Sequence, residues 1–213
     1  MMTEDERWLE YIYPETAGKR EVLKNKFDIR DPEKLYKLEA QISFEKLVDL
    51  YQNPIAGDFD KTHLCLIHEY LFKDLYDWAG QFRKVDIEKG HSVFTRYHLI
   101  SDYLDKELTR INEKVKTVMS SFSLAVVLTE LYILILDIHP FREGNGRTAR
   151  EFVREFALEK TKNLEMGQYE LDWSKMDKKI IDDNITFEKS YRSIIELEFY
   201  KALSKVEQYE QKI

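Results

Sequence analysis

The sequence predicts an all-α domain carrying a single β-hairpin, and three observations lead there. Glycine and proline are scarce, 7 and 4 in 213 residues, which leaves few places to break the chain. Apolar residues recur at spacings of three and four along most of its length, the period of a helix face. Only one stretch shows the alternation of a strand.

Asp31-Pro32 supplies an N-cap and a first-turn proline, and Leu35, Leu38, Ile42 and Leu47 then recur on one face, which marks a helix start. Leu64, Ile67, Leu71, Leu75 and Trp78 form a second amphipathic helix that Gly80 ends. A third runs through Tyr97, Ile100, Leu104, Leu108, Ile111 and Val115. Between these two, segment 81–94 alternates loosely around Lys89-Gly90, predicting two short strands and a turn. From Phe122 to Ile138 apolar residues occupy nearly every side, as in a helix at the middle of a core. A further helix covers roughly 147–160, with Phe152, Val153 and Phe156 on one side. Phe187, Tyr191, Ile194 and Ile195 begin a last helical region, ahead of a polar end at 207–213. The expected division is an N-terminal arm (1–30) packing on the core, a main domain (31–203) and a polar tail (204–213).

Composition excludes several function classes. The net charge of −7 disfavours bulk nucleic-acid binding, which needs a basic footprint. One cysteine, Cys65, rules out an internal disulfide framework and a cysteine-rich zinc site, and fits a reducing compartment. The first ten residues lack the order of a secretion signal. The apolar run 122–138 is interrupted by Ser123, Thr129, Glu130 and Asp137, whereas a membrane span wants about 20 predominantly apolar residues. A cytoplasmic chain with no membrane partner is the expectation.

Chemistry concentrates in His139-Pro-Phe-Arg-Glu-Gly-Asn-Gly-Arg-Thr-Ala-Arg150. Pro140 cannot continue the preceding helix, so His139 should stand at its end as a candidate base. Gly144-Asn145-Gly146 can expose successive N–H groups just before a helix N-terminus, which makes an anion cradle. Arg147 and Arg150, three apart, share a helix face and can grip oxygens of a polyphosphate. Glu143 offers the hard oxygen ligand preferred by a phosphate-bound Mg²⁺. Taken singly these features also describe a plain helix-to-helix joint, with Glu143 paired to Arg147. Their convergence after a buried helix has no purpose in packing.

These residues resemble the signature of the Fic domain, His-x-Phe-x-(Asp/Glu)-Gly-Asn-Gly-Arg-x-x-Arg, at every specified position. The resemblance extends over about residues 11–202 and places the Lys89-Gly90 hairpin where the family has its flap. It implies a helical Fic fold and AMP transfer from ATP to a Tyr, Thr or Ser hydroxyl of a target protein. His139 would be the general base and Phe141 the anchor of the loop. Glu143 would bind Mg²⁺, while Gly144, Asn145 and Gly146 with Arg147 and Arg150 would hold the ATP phosphates. Lys89 and Gly90 at the flap tip would meet the nucleotide. Asp86, Ile87, Glu88, His91, Ser92, Val93 and Phe94 would dock the target segment as an added strand. A kinase-like branch has lysine in place of Gly146, so the resemblance favours adenylylation over phosphorylation, with a phosphocholine-transferring branch left open.

Family members are commonly restrained by (Ser/Thr)-x-x-x-Glu-(Gly/Asn), whose glutamate pairs with the residue matching Arg150. Ser204 is followed four on by Gln208, Ser193 by Leu197, Ser190 by Ile194 and Thr16 by Arg20, so no intact copy exists here. The resemblance therefore implies a toxin whose small antitoxin donates that glutamate, acting on a bacterial target for which a type II topoisomerase subunit is the leading expectation. A divergent internal brake from Glu196, Glu198 or Glu207 is the alternative, as is a nucleotide-binding regulatory module with little transfer activity. His63 and His68, five apart, do not suit a shared metal, and His98 carries no signal.

Overall fold

The computed structural model describes residues 3–89, 92–184 and 192–207. Helix α1 (Glu4–Tyr11) opens the chain on a Thr3 capping box, an element the sequence reading left within the arm. The arm then folds back, Ile12 bridging to Leu23, and seats Tyr11 and Ile12 against Val85 in a small core of their own. Helix α2 (Pro32–Gln52) starts as expected: the Asp31 carboxylate accepts the N–H groups of Glu33 and Lys34. Helix α3 (Lys61–Phe72) stops earlier than expected, because the chain turns at Phe72, whose carbonyl accepts from Leu75 and Tyr76. Leu75 is nevertheless buried, and Gly80, in the left-handed region at φ 78°, closes the segment.

The hairpin is short. Strands β1 (Glu88–Lys89) and β2 (Ser92–Val93) pair antiparallel, Glu88 opposite Val93. Helix α4 (Ile100–Val115) buries Ile100, Leu104, Leu108, Ile111 and Val115, the face read from the sequence. Helix α5 (Ser121–Ile138) is the centre of the fold, packed by α4 and by helices α6 (Asn145–Lys160) and α8 (Arg192–Ala202). It is long and apolar enough to cross a membrane, and its apolarity serves this core. Besides α1, the sequence gives no sign of helix α7 (Lys178–Asn184) or of a ribbon of β3 (Tyr169–Leu171) with β4 (Leu203–Lys205). Ser204 and Lys205, expected in a polar tail, are thus paired strand. Phe187 and Tyr191, expected to begin the last helix, lie outside the described residues.

Candidate active site

Helix α5 ends where proline removes the next donor. His139 takes the left-handed conformation (φ 50°, ψ 61°), and its N–H donates to the Ile135 carbonyl at 3.0 Å. Its ring Nδ1 lies 3.1 Å from the Leu136 carbonyl. A carbonyl only accepts, so Nδ1 carries a proton, and in the neutral ring Nε2 then holds the lone pair that can take a proton from a hydroxyl. The imidazole is stacked on Phe94, 4.0 Å between centroids.

The loop beyond is braced from beneath. Phe141 is fully buried, as expected of an anchor, and stacks on His68 at 3.8 Å and 13°. His68 Nδ1 accepts from Gly80 N–H at 2.8 Å, which leaves Nε2–H to donate to the Glu143 carbonyl at 3.1 Å. Burial holds this imidazole down at about 3, so it stays neutral. The Asn145 side chain is buried, accepts from Phe141 N–H and donates to Phe141 C=O, both at 2.9 Å, so its expected part in the cradle falls to its main-chain N–H. Of the two glycines only Gly144 needs its freedom. It sits at φ 81°, and a Cβ there would lie 2.4 Å from the Phe72 ring. Gly146 lies inside the first turn of α6, where the leading N–H groups lack helical acceptors and carry the positive end of the helix dipole.

The Glu143 side chain is half exposed, and its Oε1 accepts from Gly144 N–H at 2.8 Å. Among the described residues no group of three or more His, Cys, Asp or Glu gathers to hold a metal alone. A single carboxylate fits Mg²⁺ that arrives on phosphate oxygens and keeps most of its waters.

The two arginines part company. Arg147, expected on the phosphates, reaches away to α2: it donates to Glu39 and to Ser43 Oγ (2.9 Å) and lies over the Phe72 ring. Glu39 is buried and also accepts from the Tyr76 hydroxyl, so Arg147 neutralises an acid that has few other partners. The sequence cannot reveal this, since the contact joins residues 108 apart. The Glu143 carboxylate lies 3.9 Å from Arg147, at the outer limit of the expected pair. Arg150 is half-buried beside Tyr132, its carbonyl accepting from Trp173 Nε1 at 3.1 Å. Among the described residues no carboxylate forms an ion pair with it. A cleft of about 310 Å³ opens beside the loop, with Glu39, Tyr76, Glu143 and Arg147 in its wall.

The hairpin meets the loop at its base. The Asp86 side chain accepts from Tyr97 N–H (2.8 Å) and Arg96 (3.2 Å), closing the hairpin's stem. Ile87 packs on the small core of Tyr11, Ile12 and Val85. Val93 is exposed beside Phe94. Gly90 and His91 lie outside the described residues. Arg83, which no sequence signal marked, is buried under this junction and donates to the carbonyls of His139 (2.8 Å), Val85 (2.7 Å), Ile138 (3.2 Å) and Thr95. Burial draws it down only to about 10, so it remains a cation. Glu39 and His68 were missed as well: only a hint survives for His68, a polar residue on an otherwise apolar helix face.

The assembly offers a proton acceptor and an anion cradle within one turn of chain, with an exposed strand edge alongside. Residues 58–157 match the family model described as Fic/DOC family. The chain is 35% identical over 173 residues to the protein adenylyltransferase VbhT of Bartonella schoenbuchensis, covering 79% of itself but only 33% of that relative. It is 32% identical over 164 residues to the probable protein adenylyltransferase y4lH of Sinorhizobium fredii, covering 74% of this chain and 78% of the other. Among solved structures, the N-terminal Fic domain of a putative cell filamentation protein from Bartonella quintana, with bound ADP, superposes with a TM-score of 0.79 at 25% identity. That match covers 92% of this chain and 95% of the other.

Proposed function

Since the chain belongs to the Fic/DOC family, we propose that it is a protein adenylyltransferase that moves AMP from ATP to a side-chain hydroxyl of another protein. The observation that carries this reading is the placing of His139: its Nδ1 is committed to Leu136 at the end of α5, and five residues on Gly144 opens the N-terminus of α6.

The target hydroxyl attacks the α-phosphorus of ATP as His139 Nε2 accepts its proton, and the bond from that phosphorus to the bridging oxygen breaks, releasing pyrophosphate. The N-terminal N–H groups of α6 and the Arg150 guanidinium stabilise charge gathering on the phosphate oxygens. Glu143 would hold Mg²⁺, which when bound offsets the negative charge of the phosphates. The exposed edge at Val93 receives the target backbone as an added strand, with Phe94 keeping that edge against His139.

Regulation in trans belongs to the same proposal: the chain acts as a toxin in the bacterial cytoplasm, and a small antitoxin supplies a glutamate to Arg150. Support comes from the acids on hand. Glu198, the most buried of the internal candidates, accepts from Asp177 N–H at 2.9 Å and pairs with Lys201. A type II topoisomerase subunit is the target proposed from the resemblance.

Intact-protein mass spectrometry after incubation with Mg·ATP and bacterial lysate, with His139→Ala in parallel, tests the proposal. Adenylyl-sized adducts that require His139 are expected. A phosphoryl-sized adduct would overturn adenylylation, and nucleotide binding without any adduct would turn the reading to a regulatory module.

A further inference from the structure

Four carbonyl oxygens converge on one buried guanidinium beneath the loop, and they come from three separate stretches of chain. Ile138 and His139 lie at the end of α5, where carbonyls have no helical donor. Val85 lies just before β1, and Thr95 just after β2. The Arg83 main chain joins the same knot, its N–H donating to the Pro140 carbonyl at 2.9 Å. At Nη1, Asp86 Oδ1 stands 3.7 Å away and also caps Tyr97, so the counter-charge sits on the hairpin's own stem. The guanidinium is one planar, rigid group. Its donors fix the two hairpin stems and the histidine backbone relative to one another in a way no lysine ammonium reproduces.

We propose that Arg83 is a positioning residue that joins the target-docking hairpin to His139 as one rigid unit, setting the distance between the base and the hydroxyl that it deprotonates. This rests on the transferase reading above. The proposed nucleotide cradle lies outside the knot: among the described hydrogen bonds and ion pairs of Arg83 none goes to Glu143, Gly144 or Arg150. The role is therefore separable from ATP binding. Removing it should misplace the acceptor hydroxyl and leave the phosphates where they were, and a misplacement of about 1 Å costs on the order of 10²-fold in rate.

The test compares wild type with Arg83→Lys in AMP transfer from labelled Mg·ATP into lysate proteins, titrating ATP and lysate separately. The expected result is transfer reduced on the order of 10²-fold at low lysate, with the KM for ATP and the Kd for Mg·AMPPNP unchanged. Loss of nucleotide affinity in step with transfer, or unimpaired transfer, overturns the proposal. If Arg83→Lys does not fold, or if wild type proves to transfer nothing, hydrogen exchange on the wild-type protein decides. Amides at 84–86 and 95–97 should then open at the same rate as those at 139 and 141, and independent opening of the hairpin stems overturns the proposal.

Discussion

Glu39 on α2 and Arg147 on α6 are ion-paired beneath the loop, with the Tyr76 hydroxyl completing the carboxylate's bonds. The pair divides the two arginines of the motif: Arg147 holds the helices together, and the proposed reading leaves the phosphates to Arg150. Arg147→Ala should thus lower stability by about 3 kcal/mol, because it strands a buried carboxylate. Arg150→Ala should cost little stability and most of the ATP affinity. Urea unfolding and calorimetry with Mg·AMPPNP separate the two, and a larger affinity loss for Arg147→Ala would reverse the assignment.

His68 ties the loop to Gly80 only while neutral, and its folded pKa of about 3 lies below the ordinary 6.5. A base with a depressed folded value contributes stability that is complete above 6.5 and lost as pH falls toward 3. By pH 5, one and a half units down, the loss amounts to about 2 kcal/mol. His68→Phe should be less stable than wild type at pH 7.5, yet lose about 2 kcal/mol less between pH 7.5 and 5. Parallel pH profiles for the two proteins would mean that His68 titrates normally.

Gly144 and Gly146 look alike in the sequence and should respond unequally to alanine. At Gly144 the left-handed backbone alone costs about 1–2 kcal/mol for a residue with Cβ, and the Phe72 ring blocks the added carbon. At Gly146 the added carbon would meet only Arg150 Nη1, at 3.7 Å, within a helix that favours alanine. Thermal unfolding should show a marked drop for Gly144→Ala and none for Gly146→Ala.

Glu198 caps the entry to α7 through Asp177 N–H and pairs with Lys201. Glu198→Gln should lower the melting temperature while leaving AMP transfer at the wild-type rate. An increased rate would identify it as an internal brake and remove the need for a partner's glutamate.

The helical skeleton was legible because apolar pattern reports burial directly: the face of α4 is the one the spacing picks out, and α5, apolar on nearly every side, lies at the centre of the core. The loop at 139–150 was legible because proline, two glycines and unlike charges crowd a short segment. What stayed hidden depends on partners distant in sequence. Arg83 reads as one more charge in a polar stretch until four carbonyls close on it. The β3–β4 ribbon escaped because three-residue strands are too short to display alternation.

That ribbon has a practical side. It sits at the far end of α6, Tyr169 N–H donating to Thr161 Oγ1 just past the last helical turn. The 16 residues of α6 span about 24 Å at 1.5 Å each, with the phosphate cradle at the opposite end. A fluorophore or affinity handle joined beyond Val206, whose N–H is itself pinned to the Gln168 carbonyl at 2.9 Å, would leave the fold at the end of α6 opposite the proposed cradle. A tether on the β3–β4 side therefore holds the protein to a surface by the end of α6 remote from its proposed chemistry.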